Sequence, residues 1–308
     1  GYGTQKKANL TGAVATVDVN KTLDSRPIAD IGRGLQGAVA GVNITIPTGE
    51  VGSDPLIKIR GQVGSISGNN TPLILLDNVE IPSIQMVNPN DVQSISVLKD
   101  AASSSIYGSK AAFGVILITT KSGAQSDKFE ISYSNNFSWQ DPAKKIEIGG
   151  IEALQYTLDA QTNRREPMPA GGFWRISPES LEKAIEWQNL YGGKVKWNDP
   201  VVYGRDWFYD GKDKYGYRLY DGAKAMIKNW TPTMTHNLSV NGKSGKTSYN
   251  IGLGYLDQSG MSKTAKKDDF KRYNASVSVT SEINKYITVR ASSIYSDRNK
   301  RYPGIGNT

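Results

Sequence analysis

The sequence predicts an α+β domain over about residues 1 to 125, followed over residues 126 to 308 by antiparallel β-strands of the transmembrane-barrel type. Short apolar runs broken by Gly and Asn indicate the first part. Regular alternation of apolar and small polar residues, which begins at Lys128, indicates the second. Short and long connections also alternate between the later strands, as in outer-membrane barrels with tight turns on one side and long loops on the other.

The α+β domain is predicted from strand-like runs that end at turn residues. Ile57 to Arg60 alternates, and Leu73 to Leu76 is an apolar run that stops at the turn pair Asp77-Asn78. Asp100 can begin a short helix that Gly108 can end. Further strands are expected at Val92 to Leu98 and Val115 to Thr120, and a linker at Lys121 to Ser126.

Composition disfavours several functions. The chain has no cysteine and only one histidine, His236, so a zinc site of a familiar kind is not expected. The net charge of +8 comes from scattered Lys and Arg rather than from a dense basic tract, so we expect no nucleic-acid partner. No nucleophile elbow, phosphate loop or acid pair is present, so we predict no catalytic residues and no enzyme activity.

One motif has the spacing of a dinucleotide-binding loop. Gly32, Gly34 and Gly37 fit GxGxxG, but no buried strand precedes them, and such spacing arises easily in a chain with 32 glycines. We interpret these glycines as turns that flank a short helix.

Five strands of membrane-spanning length are predicted in the second part, since about 9 to 11 residues suffice. His236 shares the parity of Leu238 and Val240 and is expected to point outward near a membrane interface. Short links are expected at Gly242 to Lys246 and Ile283 to Lys285, and long ones at about 140 to 232 and 258 to 270. The strands are Phe129 to Trp139, Met234 to Asn241, Ser248 to Tyr255, Tyr273 to Thr280 and Ile287 to Ser292.

Five strands cannot stand alone in lipid, because an open sheet leaves backbone groups unsatisfied at its edges. For the α+β domain to fit inside the barrel, the lumen must be as wide as that of transporters with about 22 strands. We therefore expect the remaining strands beyond Thr308, and a processed or incomplete N-terminus at Gly1 because no Met or apolar signal region opens the chain.

Seven segments of the first part stand out as a series: Gly1 to Thr4, Leu10 to Val14, Leu35 to Val42, Ile57 to Gly61, Pro72 to Val79, Asn90 to Gly108 and Ala111 to Gly123. In this order they resemble the plug domain of SusC (RagA-like) TonB-linked outer-membrane transporters. Asp77, Lys99, Asp100, Tyr107 and Gly108 belong to the signature of that family. The departures from it are Asn78 for Gly, Lys110 for Arg and Phe113 for Asn.

The resemblance implies an N-terminal fragment, with plug and first barrel strands, of an importer of oligosaccharides or, in some members, peptides. It implies three further partners: TonB as the energy source, a SusD-type surface lipoprotein as lid, and outer-membrane lipid. The implied location is the bacterial outer membrane, with the loops extracellular and the plug N-terminus periplasmic. The residues implied to face the ligand chamber are Arg60, Gln62, Ser65, Glu80 and Gln85, which can instead bond the plug to the barrel wall.

The long connection is rich in Trp and Tyr. Trp174 and Trp207 are candidates for ligand contact, although such aromatics also form a loop's own core or an interfacial girdle. Helices are predicted at Ile151 to Asn163 and at Pro178 to Asn189, the latter with Ser177 as N-cap.

Calcium is the one metal that the sequence leaves open. Asp206, Asp210 and Asp213 lie beside Gly211, but their spacing is not that of an EF-hand, so no metal ligand and no other cofactor is predicted.

A soluble secreted β-rich carbohydrate-binding module or adhesin is the alternative interpretation. The strands of such a module also alternate apolar and polar residues, but the apolar side chains would be buried between two sheets instead of facing lipid.

Overall fold

A computed structural model of the chain describes residues 14–18, 31–46, 49–60, 71–100, 104–124, 127, 129–142, 149–163, 177–196, 198–212 and 214–302. The chain forms two compact units. The first comprises Gly1–Gln140, Trp230–Met261 and Ala265–Thr308, and the second Asp141–Asn229 and Ser262–Thr264. Since the α+β domain and the later strands share the first unit, a boundary near residue 125 stays a prediction.

A five-stranded mixed sheet forms the centre of the α+β domain. Its strand order is β1-β6-β7-β4-β5, with β4 and β7 parallel and the other pairs antiparallel. The β-branched and leucine side chains of these strands form the main core, as the apolar runs predicted. The strands are Val14–Asp18 (β1), Leu73–Leu76 (β4), Val79–Glu80 (β5), Val92–Leu98 (β6) and Val115–Thr120 (β7).

Shorter elements complete the domain. The hairpin Val42–Thr45 (β2) and Leu56–Ile59 (β3) packs with an α-helix at Ile31–Leu35 and with a 3₁₀ helix at Ile84–Met86. Two further 3₁₀ helices lie at Pro89–Asp91 and Ser105–Ala111. The first helix contains two of the three motif glycines, and Gly37 follows in a turn with φ of 75°. Asp77 and Asn78 have φ of 47° and 69°, so the pair makes the predicted turn in the conformation that Asp and Asn tolerate best.

The later strands form one antiparallel sheet in the order β14-β13-β12-β11-β8. Two-residue turns join β11 to β12 and β13 to β14, and long segments join β8 to β11 and β12 to β13, as predicted. The strands are Glu130–Gln140 (β8), Thr231–Ser244 (β11), Thr247–Ser259 (β12), Asp269–Asn284 (β13) and Ile287–Arg301 (β14).

The two faces of this sheet reverse the usual arrangement of a soluble protein. Polar side chains such as Arg272 and Asn274 face the α+β domain and are only 3% and 6% exposed. Apolar side chains of the opposite parity, such as Tyr133 and Leu253, lie on the outer face with 60% and 48% of their surface exposed. The alternation predicted from the sequence therefore places its polar side inward and its apolar side outward.

The second unit contains helices Ile151–Asn163 and Pro178–Tyr191, a short helix Gly222–Met226, and a hairpin of Trp207–Tyr209 (β9) and Lys214–Gly216 (β10). Ser177 caps the second helix by accepting from Ser180 N at 3.1 Å, as predicted. None of the helices among the described residues is long and apolar enough to cross a bilayer.

Candidate functional site

The inward face of β11 to β14 meets the α+β domain along one continuous contact, which we call the seam. It joins residues 49–54, 77–91 and 120–123 of the domain to the strands. The sheet has a loop end, where residues 141 and 260 leave β8 and β12, and a turn end, where the two-residue turns lie. The chemistry of the seam changes from one end to the other.

At the loop end the seam is charged. Lys300 of β14 donates to Glu50 Oε2 at 2.9 Å and to Ser53 Oγ at 2.8 Å. The hydrogen bond and the charge of Lys300 lower the pKa of the Glu50 carboxyl. Two residues earlier on β14, Arg298 Nη1 donates to Ser83 Oγ at 2.8 Å. One strand thus holds two separate loops of the domain.

A small apolar cluster lies beside these charges, and it consists of Val51, Leu256 and Phe270. Phe270 and Leu256 are apolar side chains on the mostly polar inward face, and each is 2% exposed. Gly52 permits the close approach of Phe270, because a Cβ there would lie 2.2 Å from Phe270 Cδ2, and its φ of 68° also favours glycine.

In the middle of the seam, side chains of the sheet donate to backbone carbonyls of the domain. Arg272 Nη1 donates to Gln85 O at 3.0 Å, and Asn274 Nδ2 donates to Met86 O at 2.8 Å. Asn88 Nδ2 donates to Asn237 Oδ1 at 3.0 Å. Because buried polar groups need partners, these bonds explain why polar residues alternate on the inward face.

At the turn end, Asp91 is pressed against β12 and β13. Its carboxylate accepts a hydrogen bond from Ser276, and a Cβ on Gly252 would lie 2.5 Å from Asp91 Oδ1. Burial raises the pKa of the Asp91 carboxyl, while the Ser276 bond and the charges of Lys121 and Arg272 oppose the rise.

Asp77, a residue of the plug signature, also lies toward the turn end. Its Oδ1 accepts from Thr120 N at 3.0 Å and lies 3.8 Å from Arg290 Nη2, four residues beyond a tight turn. Glu80 follows this turn and forms an exposed ion pair of 2.7 Å with Lys110. The expectation that Glu80 faces the ligand chamber stays a prediction.

The other predicted ligand residues of the domain divide into three groups. Gln85 is buried, and its Nε2 donates to Ser53 O at 3.2 Å, so it holds the seam together instead of facing solvent. Arg60 is exposed at the end of β3, with φ of 53° and its N–H bonded to Gly41 O at 2.7 Å. Gln62 and Ser65 lie outside the described residues.

The remaining signature residues have local structural roles. Lys99 Nζ donates to Ala40 O at 2.6 Å, and Asp100 O accepts from Ser104 N at 3.1 Å. Tyr107 packs on the second core cluster of the domain. Gly108, with φ of 69° and non-helical backbone angles, separates two short helical pieces within Ser105–Ala111, so a helical piece ends at this glycine.

In the second unit, Asp206 forms a buried ionic network. It accepts from Trp187 Nε1 at 2.9 Å, from Val202 N at 2.8 Å and from Arg205 Nε at 3.0 Å, and Arg218 Nη1 lies 3.5 Å from it. The hydrogen bond from Arg205 is the main cause that holds the pKa of Asp206 well below its usual value. The carboxylate of Asp206 therefore has a structural role within the second unit.

Asp210 and Asp213 are the other two aspartates of the calcium prediction. Asp210 Oδ1 accepts from Lys212 N at 2.8 Å, and Asp213 lies outside the described residues. Among the residues that the structure describes, no three His, Cys, Asp or Glu side chains come together as a metal site.

Trp207 lies in an aromatic group next to this network. Its ring contacts Tyr203 edge to face at 5.0 Å, and Lys214 Nζ lies 5.7 Å from its centroid. The exposed Tyr203 stacks on Phe208 at 6.1 Å. Trp174 lies outside the described residues.

Sequence reasoning missed most of the seam. Glu50, Ser53, Ser83 and Asn88 carry no motif that sets them apart, and the plug segment that contains Asp91 does not show what its carboxylate contacts. The one available signal was the polar parity of the later strands, which shows that their inward side chains need partners but does not show which.

Comparisons with known proteins agree with this architecture. Residues 6–115 match the family TonB-dependent Receptor Plug Domain. The TonB-dependent receptor P26 of Formosa agariphila is 30% identical over 100% of this chain and 27% of its own length. TonB-dependent receptor SusC of Bacteroides thetaiotaomicron is 27% identical over 91% of this chain and 24% of its own.

Solved structures give the same result. The RagAB peptide importer in its open-open state superposes with a TM-score of 0.71 and 30% identity, over 98% of this chain and 32% of that one. The chain spans about a quarter of the length of the curated relatives it matches. These relatives are named as receptors and importers. The chain therefore belongs to the SusC/RagA-type TonB-dependent receptors, and it contains their plug domain, the α+β domain described above, together with antiparallel strands that pack against it.

Proposed function

We propose that the protein acts in active import of a nutrient across the bacterial outer membrane, with residues 1–125 as the plug and residues 126–308 as part of the barrel wall. The observation that carries this proposal is the reversed polarity of the five-stranded sheet. Its exposed outer face is apolar and suits lipid, while its buried inner face is polar and is satisfied by the plug. A soluble module would hide the apolar face instead.

The seam fits a plug that must be displaced and then return. Most of its contacts are hydrogen bonds, and each contributes about 0.5 to 1.5 kcal/mol net because water can replace the lost partner. A force applied by TonB from the periplasm can therefore break the contacts in sequence without exposing a large apolar core. Ligand binding promotes this step only if the ligand prefers the displaced state.

We further propose an oligosaccharide or a peptide as the substrate and a SusD-type lipoprotein as the lid. The RagAB peptide importer, among the similar proteins, supports a peptide, and the resemblance to SusC-type transporters supports an oligosaccharide and the lid. The proposed ligand contacts are Arg60, Gln62, Ser65, Glu80, Gln85, Trp174 and Trp207. Of these, Glu80 and Gln85 also bond within the plug, to Lys110 and to Ser53 O.

Uptake by cells tests the proposal. Cells with and without the gene receive labelled oligosaccharides in one arm and labelled peptides in another, and each arm is repeated without TonB and without the neighbouring lipoprotein. We expect gene- and TonB-dependent uptake in one arm, reduced by Arg60→Ala, with Lys212→Ala as a surface control. Equal uptake with and without the gene in both arms would refute the import function.

Extraction tests the membrane location separately. The intact protein should leave the membrane only with detergent, because the outer face of the sheet is apolar. Recovery as a homogeneous protein without detergent would instead support the soluble module.

A further inference from the structure

Asp91 occupies an unusual position for a carboxylate. It lies in the seam, where it is pressed against β12 and β13. Its backbone oxygen accepts from Lys121 N at 2.9 Å, which ties Asp91 to the end of β7. Gly252 provides the space that the carboxylate fills. Any movement of the plug away from the wall must therefore move this carboxylate out of its site.

The surroundings of Asp91 are mostly neutral. A cavity of about 10 Å³ next to it is lined by Thr120, Asn250, Ser276, Ser278 and Ser292 among others, from β7, β12, β13 and β14. Ser278 is buried, and its Oγ has no hydrogen-bond partner within the described part of the chain. These hydroxyl and amide groups can donate to a carboxylate or accept from a carboxylic acid.

Two cations act on Asp91 from a distance. They are Lys121, on the segment after β7, and Arg272, on β13. Lys121 is exposed, and Arg272 donates to the carbonyl of Gln85. Their attraction does not outweigh the burial of the charge, since the pKa of Asp91 is raised.

We propose that Asp91 is a proton-binding latch of the plug: the carboxylic acid form holds residues 88–91 against β12 and β13, and loss of the proton loosens this contact. The proposal goes beyond nutrient import, because it concerns how firmly the plug is docked and not what is carried.

The direction of the pH effect follows from linkage. The docked carboxyl has a raised pKa, so the docked plug binds a proton more tightly than the displaced plug. The stabilisation is complete below the ordinary pKa of an aspartate, and it is lost as the pH rises through the docked pKa. A docked pKa that lies one pH unit above the displaced pKa makes docking about tenfold more favourable at acidic pH than at alkaline pH.

Hydrogen exchange of the intact receptor in lipid nanodiscs tests the latch. Protection of residues 88–98, corrected for the intrinsic exchange rate, is measured over a pH series that starts near the ordinary pKa of an aspartate and ends at mildly alkaline pH. We expect protection to fall with rising pH in the original protein. In Asp91→Asn it should be independent of pH and match the acidic plateau of the original, so it should exceed that of the original at the alkaline end of the series. Glu80→Gln, at an exposed plug carboxyl that pairs with Lys110 and not with the strands, is the matched control and should leave the profile unchanged.

A second variant keeps the test decisive if Asp91→Asn disturbs docking by itself. Ser276→Ala removes a hydrogen bond that favours the ionised form, so the midpoint of the pH profile should move to higher pH. A profile without pH dependence in the original protein would overturn the proposal. Lower protection of Asp91→Asn at neutral pH, together with an unmoved midpoint in Ser276→Ala, would also overturn it, because the carboxylate would then stabilise docking through Lys121 and Arg272.

Discussion

Phe270→Ala should weaken plug docking while leaving the five-stranded sheet paired. Phe270 is 2% exposed and contacts the plug through Val51 and Gly52, whereas its strand neighbours bond to β12 and β14 through the backbone. Removal of the ring therefore creates a cavity between the plug and the wall. It breaks no interstrand hydrogen bond.

The size of the effect follows from this small cluster. Deletion of a buried Phe costs about 3 to 5 kcal/mol when a continuous core surrounds it. Only three side chains form this cluster, so the seam can partly close around the gap. We expect a loss of about 3 kcal/mol, which corresponds to roughly a 100-fold change in the docking equilibrium.

Hydrogen exchange of residues 49–60 in the intact receptor measures this loss. Tyr273→Ala is the matched control, because Tyr273 lies on the same strand but on the outer face, where it is 46% exposed. Protection should fall only in Phe270→Ala. An equal fall in both variants, or no fall in either, would refute the assignment of the two faces.

Three further results are expected. Glu50→Gln should weaken docking by no more than about 1 kcal/mol, and by less in high salt, because the ion pair of Glu50 with Lys300 is partly exposed. The pKa of Glu50 is lowered, so hydrogen exchange should show the contribution of this pair at neutral pH and its loss as the pH falls. Asp206→Asn should destabilise the second unit by about 3 to 5 kcal/mol, because it leaves the buried Arg218 without a carboxylate, and trypsin should then cleave within residues 141–229. Leu253→Lys should reduce the folded fraction in the outer membrane at a cost of about 2 to 4 kcal/mol near the bilayer midplane, whereas Tyr286→Lys in a tight turn should not.

Each of these three has a result that contradicts it. Equal docking of Glu50→Gln and the original protein at low salt would mean that the ion pair contributes nothing. Unchanged trypsin resistance in Asp206→Asn would show that the ionic network does not hold the loop unit. Normal membrane insertion of Leu253→Lys would remove the main support for a lipid-facing surface.

The positions of the later strands follow from periodicity, and the structure confirms them. Side chains two residues apart share a face, so the alternation around Leu253 or Val277 predicts a two-faced sheet without knowledge of any contact. The turn at Asp77-Asn78 was predictable for a similar reason, since it depends on the local backbone preference of two residues. The small hairpin of β9 and β10 was not predicted, because its strands are only three residues long.

The contacts of the seam depend on residues that are far apart in the sequence. Asn88 and Asn237 are 149 residues apart and Arg272 lies 187 residues from Gln85, so no local pattern connects them. The same holds for Gln85 and Glu80, whose polar side chains suggested a ligand site. Only the packing of the plug shows that one is buried in the seam and that the other lies toward the turn end.

The amino-acid sequence by itself determined which residues form strands, which face of each strand is apolar, and the order of plug segments that marks the family. These properties depend on side-chain spacing and backbone preference, which are local. Tertiary structure alone decided that the polar face meets the plug, that a carboxylate at position 91 fills the space left by Gly252, and that Asp206 joins two arginines in a loop network. Burial and charge pairing arise when distant segments come together, so they cannot be read from either segment alone.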